Sequence, residues 1–530
     1  MLRAMAQDVV IATRAGRLRG RAEGPGAVFR GIPFTRPPVG ALRFAPPDAG
    51  LAWSGVRDAL EFGPAPPQKC DPMLEMLGLL APDIPTSEDC LTLNVYTPGC
   101  DAARRPVLVW IHGGAFSSGT GRVPLYDGSA LAERGDCVVV TMNYRVGALG
   151  FLHLGSLAAS AAKGFAPNVG LLDQLAALRW VRENVGAFGG DPACVTVFGE
   201  SAGAGSILSL LASPASKGAF RRAIVQSAAP TGMIDAAEAE LRARRLLREL
   251  NLEPEDAARL RDVSVEMLLD AQEACALDGP WRTDMFFVPV VDGGLLPEMP
   301  MRALAKGASA DVDLLIGTTE DEMRLYVHGV DPAAMSPKQL ERALTAELPG
   351  HGAPSSPHAG EPDAEWVCAA IKKLRQARVQ PCRPLDLLCA IQTGTRLRLH
   401  AIETADAHAG AGRARTFMHL FSWPSPLQSG ELGSCHALDL PFTFGTLDAP
   451  GMASFAGVGA EAQRVADRMM DAWTSFARDG VPQCEPVGAW PAYTEAERAT
   501  VEIGREVRVL RDPYAEEREI LAGIDFSAYT

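Results

Sequence analysis

One serine stands where a nucleophile would. Gly199-Glu200-Ser201-Ala202-Gly203 fits G-x-S-x-G. The β-branched and aromatic run Val195 to Phe198 leads in, and a small-residue helical pattern from Ala202 to Leu211 leads out. Strand, sharp turn and helix form the context that holds a serine hydroxyl above the end of a sheet, ready for acyl transfer. Gly199 and Gly203 keep the flanks small enough for a strained turn. The N–H of Ala202, at the start of the helix, would face an oxyanion. The same residues also read as a serine capping a helix, so the other parts of the site have to be sought.

An activated serine needs a base, an acid to orient the base, and donors for the oxyanion. With this kind of turn the chain order is serine, acid, histidine, gathered at the carboxyl ends of strands. Glu320, Asp321 and Glu322 follow the apolar run Val312 to Ile316. The residues themselves do not choose among these three, which also read as a solvated acidic loop. Seven histidines follow Ser201: His328, His351, His358, His400, His408, His419 and His436. His351, His358 and His408 lie in Gly/Pro/Ala-rich, flexible-looking stretches, and His419 sits inside a strand pattern as a packed residue. His436 follows the polar turn Ser429 to Cys435 and precedes the apolar run Ala437 to Phe442, the placement of a catalytic loop. Upstream, His112-Gly113-Gly114-Ala115 ends an apolar run and can aim backbone N–H groups beside the serine.

These groups need a frame. Val9 to Ala12 and Arg17 to Arg21 predict a hairpin, and the proline-rich stretch Phe29 to Pro47 predicts an extended surface strap. Strands are expected at 91–96, 107–111, 137–142, 195–198, 223–226, 312–316, 417–421 and 507–510. Helices are expected at 171–188, 202–211 and 460–478, and across most of 233–280 and 334–412, the last broken between Pro349 and Pro362. Strands alternating with helices define an α/β protein with a mostly parallel central sheet flanked by helices. No repeat or long linker divides the chain, so 1–530 reads as one domain with helical insertions at about 233–310 and 334–412.

The net charge of −14 and a pI near 5.2 argue against nucleic acid and anionic membranes as partners. No apolar run reaches the roughly 20 residues of a membrane span. Met1 to Asp8 is too short to hold a signal peptide, so a cytoplasmic location is expected. Eleven cysteines without C-x-x-C spacing or paired histidines read as buried thiols, neither a disulfide frame nor a metal site.

Many ordered stretches carry a resemblance. They include Phe29-Arg30-Gly31-Ile32-Pro33-Phe34, Glu88-Asp89-Cys90-Leu91-Thr92-Leu93-Asn94-Val95-Tyr96 and Trp110 to Phe116. Asn143-Tyr144-Arg145-Val146-Gly147, Gly170-Leu171-Leu172-Asp173-Gln174 and Phe188-Gly189-Gly190-Asp191-Pro192 follow. Phe198 to Ala204, Val288-Pro289-Val290-Val291-Asp292-Gly293 and Trp490-Pro491 complete the set. Through these the chain resembles the type B carboxylesterases, the α/β-hydrolase family that also holds the cholinesterases, and above all its bacterial p-nitrobenzyl-esterase-like members.

The resemblance implies an α/β-hydrolase fold with Ser201 as nucleophile, Glu322 as acid and His436 as base. It puts the oxyanion donors on the N–H groups of Gly114, Ala115 and Ala202, with Ala115 where many members carry a third glycine. Glu200 falls on an acid that orders water and the base, and Ser227 on a second serine near the triad. Structural ion pairs Arg43–Glu88 and Arg145–Asp173 are implied, and no metal or organic cofactor.

Two features depart from the secreted animal members. Cys90 faces Pro66 where its disulfide partner usually sits, and Cys70 is offset, so a reduced Cys90 is expected. The loop Asp71 to Thr86 has no tryptophan, which argues against choline recognition by cation–π contact. Its Met73, Leu74, Met76, Leu77, Leu79 and Leu80 read either as core packing or as the lining of an entrance. Thr283 and Met285, next to Phe286, fall where cholinesterases place bulky aromatics, which predicts a roomier acyl pocket.

The expected function is hydrolysis of small, largely apolar carboxylic esters through an acyl-enzyme, by a monomer or homodimer with a small-molecule substrate. An amidase or carbamate hydrolase on the same groups is the alternative. A non-catalytic binding protein of this family would typically lack part of the triad, which here has a full set of candidates.

Overall fold

The structure is a computed structural model that describes residues 8–69, 84–157, 163–228, 232–277, 285–331, 334–347 and 364–521. Thirteen strands form one sheet. They are β1 (Asp8–Ala12), β2 (Arg17–Glu23), β3 (Gly26–Pro33), β4 (Val56–Asp58), β5 (Thr92–Thr97), β6 (Arg105–Ile111) and β7 (Val138–Met142). Then come β8 (Gly190–Glu200), β9 (Arg222–Gln226), β10 (Asp313–Thr319), β11 (Thr416–Phe421), β12 (Ala499–Ile503) and β13 (Val507–Arg511). The order across the sheet is β1-β2-β3-β5-β7-β6-β8-β9-β10-β11-β12-β13, with β4 beside β2. From β7 to β12 every pairing is parallel; the outer strands on either side pair antiparallel, except β4, which runs parallel to β2.

A parallel sheet covered on both faces demands strands that are apolar throughout, with successive side chains serving opposite layers. In β6, Val107, Val109 and Ile111 join one hydrophobic cluster, and Leu108 and Trp110 join the other. β8 repeats the division, with Val195 and Val197 on the first face and Phe198 on the second. Trp110 lies 4.9 Å from Phe198 and 5.0 Å from Phe444, centroid to centroid. The helices Val169–Asn184 and Ala202–Ala212 back the first layer, and Ala460–Asp479 backs the second.

The structure corrects the sequence reading at several points. Phe29 to Pro33 is part of a sheet strand, not of the surface strap. It pairs with β5 across a register shift between Phe29 and Ile32, where Gly31 has φ +67 and donates its N–H to Asn94. β8 begins before the expected strand, at Gly190, because a register shift against β6 absorbs Asp191 and Pro192. β12 is inserted between β11 and β13, so 507–511 is an edge strand. His408 is not in a flexible stretch. It is buried in the helix Leu399–Gly410, within 2.8 Å of Thr416 Oγ1 and 3.0 Å of the Val312 carbonyl. The stretch 349–362, and His351 and His358 with it, lies outside the described residues. Among the described residues no helix is long and apolar enough to cross a membrane.

Candidate active site

The sheet order itself creates a crevice. From β6 the chain passes to β7 on one side and returns to β8 on the other. The loops leaving the carboxyl ends of β6 and β8 therefore diverge, which is where α/β sheets bind ligands. One loop begins at His112, and the other is the turn at Ser201.

Ser201 follows β8 with φ 56° and ψ −123°, a conformation costly for a side-chain-bearing residue. Its N–H donates to the Gln226 carbonyl at 3.0 Å, and its own carbonyl accepts from Gly205 at 2.9 Å. The turn survives because its flanks are bare. A Cβ on Gly203 would sit 2.0 Å from the Ile111 carbonyl oxygen, and one on Gly199 would sit 2.7 Å from the same atom. Helix and strand thus approach to distances that only glycine allows, and Ser201 keeps partial exposure at the crevice.

Residues from two other strand ends meet there. Glu322, fully buried after β10, lies 2.6 Å through Oε2 from His436 Nδ1. Its Oε1 accepts the Thr319 N–H at 2.7 Å, and its carbonyl accepts the His436 N–H at 3.1 Å. Burial raises the Glu322 pKa, but the charge and hydrogen bond of His436, with help from Ser227 and Thr319, outweigh it and hold the carboxylate low. Ser227 lies close enough to contribute to that lowering, yet its Oγ makes no well-aligned hydrogen bond.

His436 Nε2 faces Glu200, 3.0 Å from Oε1, without the alignment of a hydrogen bond. Burial opposes the imidazolium, but Tyr326, Glu200 and Glu322 around it prevail and raise His436 well above its ordinary value. The Tyr326 ring stands 5.7 Å from the imidazole.

The loop after β6 supplies donors. Gly114, Ala115 and Phe116 have φ of 108°, 53° and 58°, a run of backbone that side-chain-bearing residues rarely adopt. Among the described residues, the N–H groups of Gly114, Ala115 and Ala202 donate to no protein acceptor. Gly113 is pressed against the turn, since a Cβ there would meet Glu200 Oε2 at 3.0 Å and Ser201 Cβ at 3.2 Å. His112 underpins the loop. Its ring stacks on Tyr144 at 4.3 Å and lies 2.8 Å through Nδ1 from the Gly113 carbonyl, while the Tyr144 hydroxyl donates to the His112 carbonyl. Burial lowers the His112 pKa to about 4, so the ring is neutral and Nδ1 carries the hydrogen.

Sequence reasoning missed a further acid. Asp439 is buried three residues beyond His436, where Oδ2 accepts from Gln226 Nε2 at 2.7 Å and Oδ1 has no partner. Gln226 Oε1 accepts in turn from Trp473 Nε1 at 3.1 Å. Burial, with the Glu200 charge nearby, raises the Asp439 pKa to about 7. A lone acid inside Ala437-Leu438-Asp439-Leu440-Pro441-Phe442 was the available signal.

Phe286 is buried against Phe287 with the Arg242 guanidinium 5.5 Å above its ring, and Met285 packs half-buried beside it. Thr283, Cys70 and most of the 71–86 loop lie outside the described residues. Cys90 is buried and joins no described cysteine. Arg145 meets Asp173 at 2.7 and 2.8 Å, and Arg43 meets Glu88 at 2.5 and 2.6 Å.

Such a sheet, with a serine turn at its switch point, defines an α/β-hydrolase. A solved thermophilic PNB esterase superposes with a TM-score of 0.82 at 36% identity, over 97% of this chain and 99% of that one. The para-nitrobenzyl esterase of Bacillus subtilis is 39% identical over 97% of this chain and 98% of its own length. The phenmedipham hydrolase of Pseudarthrobacter oxydans is 35% identical over 94% and 96%. The Carboxylesterase family profile matches residues 7–521, and the chain belongs to that family of carboxylic ester hydrolases.

Proposed function

We propose that Ser201, His436 and Glu322 hydrolyse small, largely apolar carboxylic esters through an acyl-enzyme. One observation carries this reading: Glu322 Oε2 lies 2.6 Å from His436 Nδ1, while Nε2 of the same ring lies 3.0 Å from Glu200, the neighbour of the strained serine. The buried carboxylate fixes the hydrogen on Nδ1 and leaves Nε2 as the base. Nε2 takes the Ser201 proton as Oγ attacks the ester carbonyl. The N–H groups of Gly114, Ala115 and Ala202 receive the oxyanion, each worth about 10²–10³ in rate. His436 then protonates the departing alcohol. Water enters, gives its proton to the same nitrogen and releases the acid. Glu200, 3.0 Å from Nε2, stabilises the imidazolium formed at each step. Met285 and Phe286 bound the acyl side, the role that the resemblance gives them.

A second reading keeps the same groups and exchanges the ester for a carbamate or amide. The 35% identical phenmedipham hydrolase favours it. The test is turnover of p-nitrophenyl esters from acetate to decanoate, with wild type beside Ser201→Ala. Turnover by wild type alone supports the proposal. An inert, folded wild type turns the question to the carbamate and amide substrates.

A further inference from the structure

We infer that Gln68 is a positioning residue for the oxyanion loop, acting through Gly119. This rests on the reading of Gly114 and Ala115 as oxyanion donors. The Gln68 side-chain amide pairs with both backbone groups of Gly119. Nε2 donates to the Gly119 carbonyl at 2.9 Å, and Oε1 accepts the Gly119 N–H at 2.7 Å. Among the described residues these are the hydrogen bonds of the Gly119 backbone. One side chain thus does for Gly119 what a neighbouring strand would do.

Gly119 lies directly on the start of the loop. It has φ +105, and a Cβ there would fall 2.4 Å from both the Gly113 carbonyl oxygen and His112 Nδ1. A shift of Gly119 is therefore a shift of the Gly113–Gly114 peptide, which carries the Gly114 N–H and leads to Ala115. The intervening turn is closed on itself, with Ser117 and Ser118 donating to the Gly114 carbonyl at 3.0 and 2.9 Å. Residues beyond Gly119 are held separately, as Asn143 Oδ1 accepts from Thr120 Oγ1 at 2.8 Å and the Gly121 N–H at 2.9 Å. Gly119 is the junction between these two units, and Gln68 is its clamp.

The clamp comes from a different part of the chain, which is itself fastened. Asn143 Nδ2 donates to the Pro64 carbonyl at 3.0 Å, and Arg122 donates to the Gly63 carbonyl at 3.0 Å. Gln68 Nε2 also donates to the Pro66 carbonyl at 3.0 Å, which fixes the amide's orientation. The next residue, Lys69, pairs with Asp270 at 2.7 Å and with Glu273, both on the helix Val265–Leu277. The position of that helix is thereby tied to the loop of donors.

The test compares wild type with Gln68→Met, which keeps length but loses all three side-chain hydrogen bonds, and Gln68→Glu, which keeps only the acceptor. For each, kcat and KM on p-nitrophenyl butyrate are measured with the Ki of an alkyl trifluoromethyl ketone. That ketone adds to a serine as a tetrahedral oxyanion. Gln68→Met is expected to lower kcat by about 10- to 100-fold, short of the roughly 10²–10³ of deleting a donor outright. Its KM stays within about threefold, and its ketone Ki weakens in proportion to kcat/KM. Gln68→Glu falls between, and serves alone if Gln68→Met does not fold. A folded variant with wild-type kcat and Ki, or one altered in KM alone, overturns the inference. A wild type that the ketone does not inhibit instead overturns the oxyanion reading, and the inference falls with it.

Discussion

Gly203→Ala is the sharpest perturbation of the serine turn. The added Cβ would lie 2.0 Å from the Ile111 carbonyl oxygen and 2.8 Å from that of His112. The first contact is about 1.4 Å inside the 3.4 Å of ordinary van der Waals approach. Both neighbours are backbone at the end of β6, so no side chain can rotate away. Relief has to come from parting the helix Ala202–Ala212 from β6. That motion carries Ser201 away from Gly114 and Ala115. A misplacement near 1 Å costs about 10² in rate, and overpacking costs about 1–3 kcal/mol in stability. The assay is kcat on p-nitrophenyl butyrate beside thermal melting, with Gly186→Ala as control, where a Cβ meets nothing within 4 Å. The expected result is a kcat lower by about 10²-fold or more in a protein that still melts cooperatively. A Gly203→Ala enzyme with wild-type kcat refutes the reasoning, whatever its melting temperature.

Three more outcomes follow from charge and burial. His436 is raised by Tyr326, Glu200 and Glu322 against the opposing effect of burial, and it acts as a base only when neutral, so kcat/KM falls as pH drops through its raised value. Glu200→Gln removes one of those charges and moves this acid limb to lower pH. A pH profile with an unmoved limb contradicts that. Asp439 titrates at about 7 rather than the usual 3.8, so the native state binds this proton more tightly than the unfolded chain, and stability is lost as pH rises between those values. Asp439→Asn therefore shows a smaller loss of Tm from pH 5 to pH 8 than wild type, and an equal or larger loss would be inconsistent with a buried neutral acid. Asp173→Asn strands the Arg145 guanidinium, since the two side chains are 0% and 3% exposed. Unfolding in urea should register a loss of about 3–5 kcal/mol, and a loss below about 1 kcal/mol would disprove the pair's structural role.

What could be read from the residues divides along physical lines. The turn at Ser201 was legible because its requirements are local: a β-branched strand, two bare flanks and a helix start. The buried strands were legible for the same reason, since an apolar run such as Val107 to Ile111 has few other uses. The choice among Glu320, Asp321 and Glu322 was not local. Glu320 Oε1 accepts from the Tyr514 hydroxyl at 2.7 Å, and Asp321 Oδ2 accepts from the Ser434 N–H at 3.1 Å. Only Glu322 is left to His436, and those distant partners decide it. Asp439 was hidden likewise, because its environment is made by Gln226, on β9, and Trp473, on the helix Ala460–Asp479. β12 escaped because Ala499–Ile503 is short and closely flanked by Arg498 and Arg505, so its pairings with β11 and β13 are what mark it as a strand.

The central claim is that Ser201 becomes covalently acylated. It is tested most directly by treating the enzyme with a p-nitrophenyl alkylphosphonate and mapping the adduct by peptide mass spectrometry. One phosphonyl group per chain is expected, on the peptide bearing Ser201, appearing in step with the loss of esterase activity. An adduct on another residue, or full inactivation with Ser201 unmodified, would contradict it.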